Sequence, residues 1–336
     1  MNIRLVARTA GVSVATVSRV FNTPEVVRAE TRERVLAVAR RFDYVPNANA
    51  RTLRTQRSRL LGVVLPTLLN PVFAEFAEGI SAAAIEAGYA IQLMTTEYRE
   101  RDEEAAVQHL VGRGVDGVVM VACHPTDSRA LRHLRGAGMP YLLAYNRHPE
   151  HPCVSVDSES AVAQLVDMLY ARGHERIAML CGDLSASDRS RARHTGFLRG
   201  FAQLGLPAGP MVEVPFIDDT VDVAVAMLSA PGRPTALICS NDLIALRALR
   251  AAHQAGLRVP QDLSITGFDG IALATVIVPS LCTMVQPSRD MGRVCIELIA
   301  PAAAAGTLLD PRASRTLPVH LREGESVASL VPLTPA

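Results

Sequence analysis

Apolar and polar residues alternate with helical spacing near the start of the chain. In the stretch GVSVATVSRVFN, Val17, Val20 and Phe21 fall on one face of a helix. The opposite face carries short side chains and one arginine, namely Ala15, Thr16, Ser18, Arg19 and Asn22. Such a face is not typical of a helix surface that only contacts solvent, but its shape allows the helix to enter a groove of a binding partner.

Two further helices are predicted around this one. Asn2 is a suitable N-cap for a helix that Gly11 ends, and Ser13 can cap the helix over 14–21. The stretch AETRERVLAVARRF predicts a third, amphipathic helix. Its apolar face consists of Val35, Leu36, Val38 and Ala39. Three short helices joined by the glycine-bearing turn AGVS predict a helix-turn-helix.

From Leu60 onward, continuous apolar segments alternate with amphipathic helical segments. The apolar segments read LLGVVLP, YAIQLM, DGVVMVA, PYLLAYN, RIAMLCG, TALICSND and LSITGFD. Apolar strands separated by helices form parallel sheets that are covered on both faces. Because these strands are too many for one sheet, this α/β pattern predicts two doubly wound parallel-sheet subdomains.

Polar residues follow several of the predicted strands. Ligands bind doubly wound sheets at the carboxyl ends of the strands, so these residues are candidates for a binding site. They are Asn70, Tyr145, Asn146, the segment 183–193, Asn241, Asp242 and Asp269. We expect Asp242 to lie near the cap of the following helix and Asn241 to face the ligand.

The composition is that of a globular protein, with 49% hydrophobic and 20% charged residues among 336. No apolar run reaches the roughly 20 residues of a membrane span, and the N-terminus lacks a signal-peptide pattern. We therefore expect a cytoplasmic protein with no membrane partner. The six cysteines are scattered, which favours buried free thiols over a disulfide framework.

The sequence gives no sign of a metal or a cofactor. His124, His148, His151 and Cys153 lie close together in the chain, but their spacing matches no tetrahedral metal site. Neither a dinucleotide fingerprint, a phosphate-binding P-loop nor a nucleophile elbow occurs. We expect no metal, no cofactor and no enzymatic activity.

Charge is distributed unevenly along the chain. Residues 1–59 carry 12 Arg and four Asp or Glu, a net charge of +8, whereas the remainder carries 22 Arg and 29 Asp or Glu, a net charge of −7. The chain contains no lysine. A basic N-terminal segment next to a helix-turn-helix pattern predicts a polyanionic partner, double-stranded DNA.

Seven segments, in this order, resemble the LacI/GalR family of bacterial repressors. They read VARTAGVSVATVSRVFN, YVPNANARTL, GVVLPTLLNPVFAEFAEGI, ARGHERIAMLCG, RPTALICSNDLIALRAL, GLRVPQDLSITGFD and PSLCTMVQP. The resemblance implies a helix-turn-helix DNA-binding domain over 1–46, a hinge helix and linker over 47–59, and an effector-binding core over 60–325 like that of periplasmic binding proteins. We expect residues 326–336 to form a disordered tail.

Within the core, the resemblance implies an N-subdomain over about 60–156 and 285–314 and a C-subdomain over about 157–284 and 315–325. It also implies a homodimer on a pseudo-palindromic operator, with a tetramer left open, and a small-molecule effector in the cleft between the subdomains. The implied function is ligand-responsive, sequence-specific repression of a catabolic or uptake operon.

By the family pattern, Val14, Ala15 and Arg19 face base edges, and Leu53 wedges into the minor groove. The full set of implied DNA-binding residues is Ser13, Val14, Ala15, Thr16, Ser18, Arg19, Asn22, Tyr44, Asn47, Ala50, Leu53 and Arg54. Arg19 can pair bidentately with guanine O6 and N7, and a phosphate contact is the alternative role. For Leu53 the alternative is ordinary core packing, although neighbouring arginines favour the wedge.

The effector contacts that the resemblance implies are Phe73, Tyr145, Arg193, Asn241, Asp269 and Gln286. For the two aromatic residues, core packing is the alternative role. We expect Arg189 and Arg191 to belong to a charged helix start. An arginine opposite Asp269 suits a polyol, and a further cation nearby suits a sugar acid, a phosphate or another anion. The chain has no tryptophan to stack on a pyranose ring, so we favour an anionic or open-chain effector.

The chain departs from the family pattern at three places. Leu5 stands where an aspartate is usual, Gly270 where a second aspartate is common, and Asp222–Val223 where a Ser-Gly pair is frequent. The last two departures prevent any transfer of an effector identity from relatives. Two other classes of function compete with a repressor: a small-molecule binding or sensing protein without DNA function, and an enzyme with a nucleotide-binding fold. The basic N-terminal segment and the lack of a signal-peptide pattern argue against the first, and the lack of the motifs named above argues against the second.

Overall fold

A computed structural model describes residues 2–44, 57–216 and 221–330. The chain divides into two compact units, Met1–Ser58 and Arg59–Ala336. The predicted hinge helix, and with it Asn47, Ala50, Leu53 and Arg54, lies outside the described residues.

The first unit is built from three short helices. They are Ile3–Ala10 (α1), Val14–Asn22 (α2) and Ala29–Arg41 (α3), with a 3-10 turn at Pro24–Val26. The Asn2 side chain accepts a hydrogen bond from the Leu5 amide at 3.1 Å, and Ser13 accepts one from the Thr16 amide at 3.1 Å. Gly11 ends α1 in the left-handed conformation, with φ +64°. Both predicted N-caps and the predicted helix end are therefore confirmed.

A small apolar core holds the three helices together. Its fully or almost fully buried members are Val6, Ala7, Ala10, Val17, Val20, Val35 and Ala39. Leu36 and Val38 are half-buried and pack against this core, as does Phe21. The predicted apolar faces of α2 and α3 are thus the faces that pack.

Two six-stranded sheets form the second unit. The first sheet consists of Leu60–Leu65 (β1), Ala90–Thr95 (β2), Gly117–Met120 (β3), Tyr141–Ala144 (β4), Cys153–Val156 (β5) and Arg315–Leu317 (β11). Its strand order is β11-β5-β4-β3-β1-β2, and all of its strands are parallel. In the second sheet, in the order β12-β10-β9-β8-β6-β7, all but β12 are parallel: Ile177–Gly182 (β6), Met211–Val214 (β7), Ala236–Cys239 (β8), Ser264–Asp269 (β9), Cys282–Val285 (β10) and His320–Arg322 (β12).

Helices accompany each sheet. Those of the first sheet are Pro71–Glu86 (α4), Glu100–Gly112 (α5), Arg129–Gly136 (α6) and Ser288–Ala305 (α11). Those of the second are Ser158–Ala171 (α7), Asp188–Gln203 (α8), Val221–Ser229 (α9) and Asp242–Gln254 (α10). Short 3-10 turns occur at Ala272–Thr275 and Pro311–Ala313.

The first sheet is buried on both faces, as predicted for a doubly wound sheet. Along β1, Leu61, Val63 and Leu65 pack in one apolar cluster with α4 and α11, whereas Val64 packs in another with α5 and α6. Helix α4 lies so close to α11 that a Cβ on Gly79 would be 2.1 Å from the Arg289 carbonyl oxygen. Only a glycine at this position allows the two helices to pack this closely.

Some sequence-based boundaries were wrong. The pattern did not predict β5, β7, β10, β11 and β12, which are only three or four residues long. Residues 315–317 were assigned to the C-subdomain, but Arg315 pairs with Val154 in the first sheet. A strand of three residues shows too few alternating positions for its partner to be read from sequence.

The expected disordered tail is wrong for its first five residues. Ser326 is fully buried, donates a hydrogen bond to the Ile265 carbonyl at 2.6 Å and accepts one from the Cys282 amide at 2.9 Å. The Leu330 amide donates to the Arg172 carbonyl at 2.7 Å. These bonds attach residues 326–330 to the second sheet and its helices.

All six cysteines are free and buried, which confirms the expectation of free thiols. Over the described residues, no helix is long and apolar enough to cross a membrane.

Candidate DNA-binding surface and effector cavity

Helix α2 presents its predicted polar face to solvent. Val17 and Val20 are buried beneath it, and Val14 remains 41% exposed at the start of the helix. The predicted DNA-binding residues on this surface are exposed or half-exposed: Ser13, Val14, Ala15, Thr16, Ser18, Arg19 and Asn22. The fold brings these seven residues together. That they contact DNA stays a prediction.

Hydrogen bonds within the first unit already engage several of these polar groups. The hydroxyls of Ser13 and Thr16 are 2.9 Å apart, and Asn22 Nδ2 donates to the Ser18 carbonyl at 2.7 Å. Arg19 is exposed and is the one long, permanently charged side chain on this face. Tyr44 is half-buried and packs its ring against Phe21, with centroids 5.8 Å apart. Burial raises the pKa of the Tyr44 hydroxyl.

The carboxyl ends of strands from both sheets surround one cavity in the second unit. The cavity is partly open to solvent. Its lining contains all six predicted effector residues: Phe73, Tyr145, Arg193, Asn241, Asp269 and Gln286. The remaining lining residues are Asn70, Val72, Tyr98, Ser187, Arg189, Ser190 and Phe216. Their roles in binding an effector stay predictions.

Asp269 is the centre of a hydrogen-bonded network in this cavity. Its Oδ1 accepts from Arg193 Nη2 at 3.2 Å and from Gln286 Nε2 at 2.8 Å, and its Oδ2 accepts from Asn70 Nδ2 at 3.1 Å. Burial raises the pKa of Asp269, against the opposing effect of Arg193 and of these hydrogen bonds. Asp269 also has a φ of +119°, a conformation that L-residues rarely adopt. The strand end is therefore held in an unusual geometry that directs its carboxylate into the cavity wall.

The Arg193 guanidinium has a fixed position. It lies over the Phe268 ring, with its central carbon 3.9 Å from the ring centroid, and Nη1 donates to the Ser240 carbonyl. The cation–π contact, the Asp269 pair and the carbonyl offset part of the cost of its burial, and Nε is left without an acceptor within the described ranges of the chain. The guanidinium is thus oriented before any ligand arrives.

Asn241, predicted to face the ligand, lines the cavity, and Asp242, predicted near the cap of α10, is the first residue of that helix. Asn241 is itself the N-cap of α10, because its Oδ1 accepts from the Ile244 amide at 2.8 Å, and it also lines the cavity. Asp242 does not cap α10. It is fully buried and accepts from the Gly270 and Ile271 amides, each at 2.8 Å. Burial raises the pKa of Asp242 to about 7.

Aromatic residues form the apolar part of the cavity. Phe73 packs edge-on against Tyr145, with centroids 5.5 Å apart, and the Tyr145 hydroxyl donates to the Val72 carbonyl at 3.3 Å. Tyr98 and Phe216 stack with their rings 4.2 Å apart and 11° from parallel. Sequence reasoning missed the second pair. Phe216 follows β7, a strand the pattern did not predict, and Tyr98 follows the end of β2 in a left-handed turn, with φ +59°.

Arg189 lies in a charged helix start, as expected, because α8 begins at Asp188. It is nevertheless only 7% exposed and lines the cavity, which the sequence did not indicate. Its Nη1 donates to the Ala122 carbonyl at 2.7 Å and to Asp188 Oδ1 at 3.2 Å. Arg191, two residues on, is exposed. The first turn of α8 therefore places one arginine inward and one outward.

Several contacts besides Asn70–Asp269 join the two subdomains near this cavity. Asn146, which follows β4, donates to Asp188 Oδ1 at 2.8 Å, and the Asp188 amide donates to the Cys123 carbonyl at 3.0 Å. Burial raises the pKa of Asp188, and Arg189 opposes that rise. Over the ranges 2–44, 57–216 and 221–330, no three His, Cys, Asp or Glu side chains are grouped to hold a metal ion.

Comparison with known proteins matches each unit to one family description. The model "Bacterial regulatory proteins, lacI family" matches residues 2–47, and the model "Periplasmic binding protein-like domain" matches residues 166–327. Catabolite control protein A of Priestia megaterium is 33% identical over 306 residues, which are 89% of this chain and 92% of that protein. This chain belongs to the lacI family of bacterial regulatory proteins. Like its relatives, this LacI-family protein is a transcriptional repressor with a DNA-binding and an effector-binding domain, and it is not an enzyme.

Two further similarities support the assignment. The transcriptional repressor CytR of Escherichia coli (strain K12) is 31% identical over 299 residues, which are 88% of this chain and 87% of CytR. A crystal structure of the Lac repressor dimer bound to operator and the anti-inducer ONPF matches with a TM-score of 0.86 at 27% identity, covering 98% of this chain and 99% of that chain. The LacI-family fold expected from the sequence is thus confirmed.

Proposed function

We propose that this LacI-family repressor binds a specific operator as a homodimer and controls a catabolic or uptake operon in response to a small polar effector. The effector is a sugar, a sugar acid or another anion, and the protein acts in the cytoplasm, where its DNA lies. The observation that carries the proposal is that all six residues implied by the resemblance line one cavity between the strand ends of two sheets.

The DNA side of the proposal rests on α2. The side chains on its exposed face are short and uncharged, apart from Arg19. Such a helix fits the major groove, where an arginine pairs bidentately with guanine O6 and N7. The similar Lac repressor is a dimer on its operator. Two copies of this chain would read the two half-sites of a pseudo-palindrome about one helical turn apart or a multiple of it.

The effector side rests on contacts across the cleft. Asn70 bonds to Asp269, and Arg189 bonds to the Ala122 carbonyl, each linking one subdomain to the other. A ligand that competes for Asp269 or bridges to Arg193 changes these links. It therefore has different affinities for open and closed arrangements, which is the condition for shifting their populations. Reciprocal coupling then changes the affinity for DNA.

The test is selection of bound duplexes from a random DNA library with the full-length protein. We expect enrichment of an inverted repeat and specific binding at nanomolar protein in fluorescence anisotropy, at roughly 10⁻⁸ M or tighter. Sugars, sugar acids and phosphates are then added one at a time, and one of them should change that affinity by about 5- to 150-fold. Failure to enrich any sequence would refute the repressor assignment. Enrichment of a site without dyad symmetry would refute the dimer.

A further inference from the structure

Two of the arginines that line the cavity each have a guanidinium nitrogen that lacks a hydrogen-bond partner in the part of the chain that the structure describes. Arg189 Nη2 and Arg193 Nε are buried and have no hydrogen-bond partner among the described residues. Both arginines line the cavity and are less than 10% exposed, at 7% each. A buried charged N–H group without an acceptor is costly, and a ligand that supplies one recovers that cost.

The protein's own carboxylate does not meet this demand. Asp269 bonds Arg193 Nη2 and Gln286 Nε2 through Oδ1 and Asn70 through Oδ2, but it bonds neither Arg193 Nε nor Arg189 Nη2. Asp188 contacts Arg189 only through Nη1 and also accepts from Asn146. Arg189 Nη2 and Arg193 Nε can therefore donate hydrogen bonds to a ligand.

The Arg189 side chain is also held in place. Its Nη1 is fixed by the Ala122 carbonyl at 2.7 Å and by Asp188 Oδ1 at 3.2 Å. A guanidinium stays protonated at every physiological pH, so it offers donors only. Planar donors held at a fixed orientation match the oxygens of a carboxylate or a phosphate better than a single hydroxyl does.

One buried acceptor shows what else the ligand carries. Gln286 Nε2 must face Asp269, because a carboxylate only accepts, and this leaves Gln286 Oε1 buried without a donor. A ligand hydroxyl would supply that donor. The stacked rings of Tyr98 and Phe216 complete the cavity with an apolar wall.

We propose that the effector is a small hydroxylated anion whose carboxylate or phosphate is bound by Arg189 together with Arg193. This inference rests on the proposed effector function of the cavity and adds Arg189 as a specificity-determining residue. A neutral polyol would leave the two guanidinium donors short of acceptors.

The first experiment compares matched ligands by calorimetry on the full-length protein. The sets are D-glucose with D-gluconate, D-glucuronate and D-glucose 6-phosphate, and D-ribose with D-ribose 5-phosphate. We expect an acidic member to bind about 10- to 100-fold more tightly than its neutral counterpart, the range for hydrogen bonds to a charged group. The carboxylates and the phosphates distinguish the two sources of the anion. A neutral member that binds as tightly as its acidic relatives, or binding of no acidic member, would overturn the inference.

The second experiment assigns the preference to Arg189. In Arg189→Gln, the Kd of the neutral ligand divided by the Kd of its acidic counterpart should fall about tenfold or more. The Kd of the neutral ligand itself should change little. Arg191→Gln is the matched control, because Arg191 is exposed on the same helix turn, and it should keep the preference. Equal weakening of neutral and acidic ligands in Arg189→Gln would make Arg189 a purely structural clamp and overturn its assignment. Arg189→Lys, which retains the charge, should keep part of the preference.

The same protein preparations separate this inference from the proposed function. Specific operator binding without an acid preference refutes the anion alone. If the unsubstituted protein shows no specific operator binding, the repressor function itself is refuted.

Discussion

Asn70 Nδ2 donates a hydrogen bond to Asp269 Oδ2 at 3.1 Å, across 199 residues of sequence. Asn70 begins α4, beside the first sheet, and Asp269 ends β9 of the second sheet. The same side chain uses its Oδ1 to accept from the Val72 amide at 3.3 Å. One amide therefore caps a helix with its oxygen and links the two subdomains with its nitrogen.

The two roles of Asn70 can be separated by substitution. Asn70→Ser keeps an oxygen that caps α4 but is too short to reach Asp269. We expect the free energy of unfolding in urea to fall by about 1.5–3 kcal/mol, the usual range for a hydrogen bond to a charged group. Asn70→Ala should cost about 1 kcal/mol more, because it also removes the cap. Equal losses in the two variants would mean that the bond to Asp269 contributes all of the effect and the cap none.

The buried carboxyl group of Glu103 should make the stability of the protein depend on pH. It is 1% exposed on α5 and accepts from the Cys123 amide at 2.6 Å, and burial raises its pKa to about 7. The unfolded chain ionises this group near its ordinary pKa of about 4.3, whereas the folded protein keeps it protonated until pH approaches 7. Protonated Glu103 therefore supports folding below pH about 4, and this support is lost as pH rises toward 7 and above.

Glu103→Gln should remove that loss while keeping an acceptor for Cys123. Measured by urea unfolding, its stability relative to the unsubstituted protein should increase between pH 4 and pH 8, by on the order of 3 kcal/mol at most. The control is Glu100→Gln, an exposed position in the first turn of the same helix, which should show a much smaller trend because its charge makes the smallest contribution to the shifted pKa of Glu103. A difference between Glu103→Gln and the unsubstituted protein that is constant with pH would contradict the raised pKa.

Features that depend on neighbouring residues were predictable from the sequence. The caps by Asn2 and Ser13 follow from hydrogen bonds to amides three residues on. The cavity residues Asp269 and Asn241 follow strands whose apolar runs are unmistakable in the sequence, and the doubly wound rule places such strand ends at a ligand site. Local chemistry and a topological rule sufficed for these positions.

The remaining features depend on partners far away in the chain. Arg189 and Arg191 look alike in sequence, but Arg189 donates to the Ala122 carbonyl, 67 residues earlier, and is buried, whereas Arg191 is exposed. The same limit applies to Phe216, which stacks on Tyr98 and follows β7, a strand whose sequence MVEV has no continuous apolar run. Long-range contacts choose between burial and exposure, and residue type alone does not reveal them.

Arg19→Ala should reduce the discrimination between bases and leave most of the non-specific affinity for DNA. If Arg19 pairs with a guanine, its loss should weaken binding to the selected operator by about 1–3 kcal/mol and leave binding to random DNA nearly unchanged. Arg34→Ala is the control, because Arg34 is exposed on α3 and not on α2. It should not change the ratio of specific to non-specific affinity, which competition titrations measure. Equal loss on operator and on random DNA in Arg19→Ala would identify Arg19 as a phosphate contact.

Operator binding should depend steeply on salt. Residues 1–59 carry a net charge of +8, all of the positive charge as arginine, and two such segments in a dimer would neutralise about 6–10 phosphates. Each neutralised phosphate contributes about −0.9 to the slope of log K against log salt concentration, so we expect a slope of about −5 to −9 between 50 and 200 mM salt. A monomer bound through one segment should give about half that slope. A slope shallower than about −2 would contradict paired docking of the two basic segments.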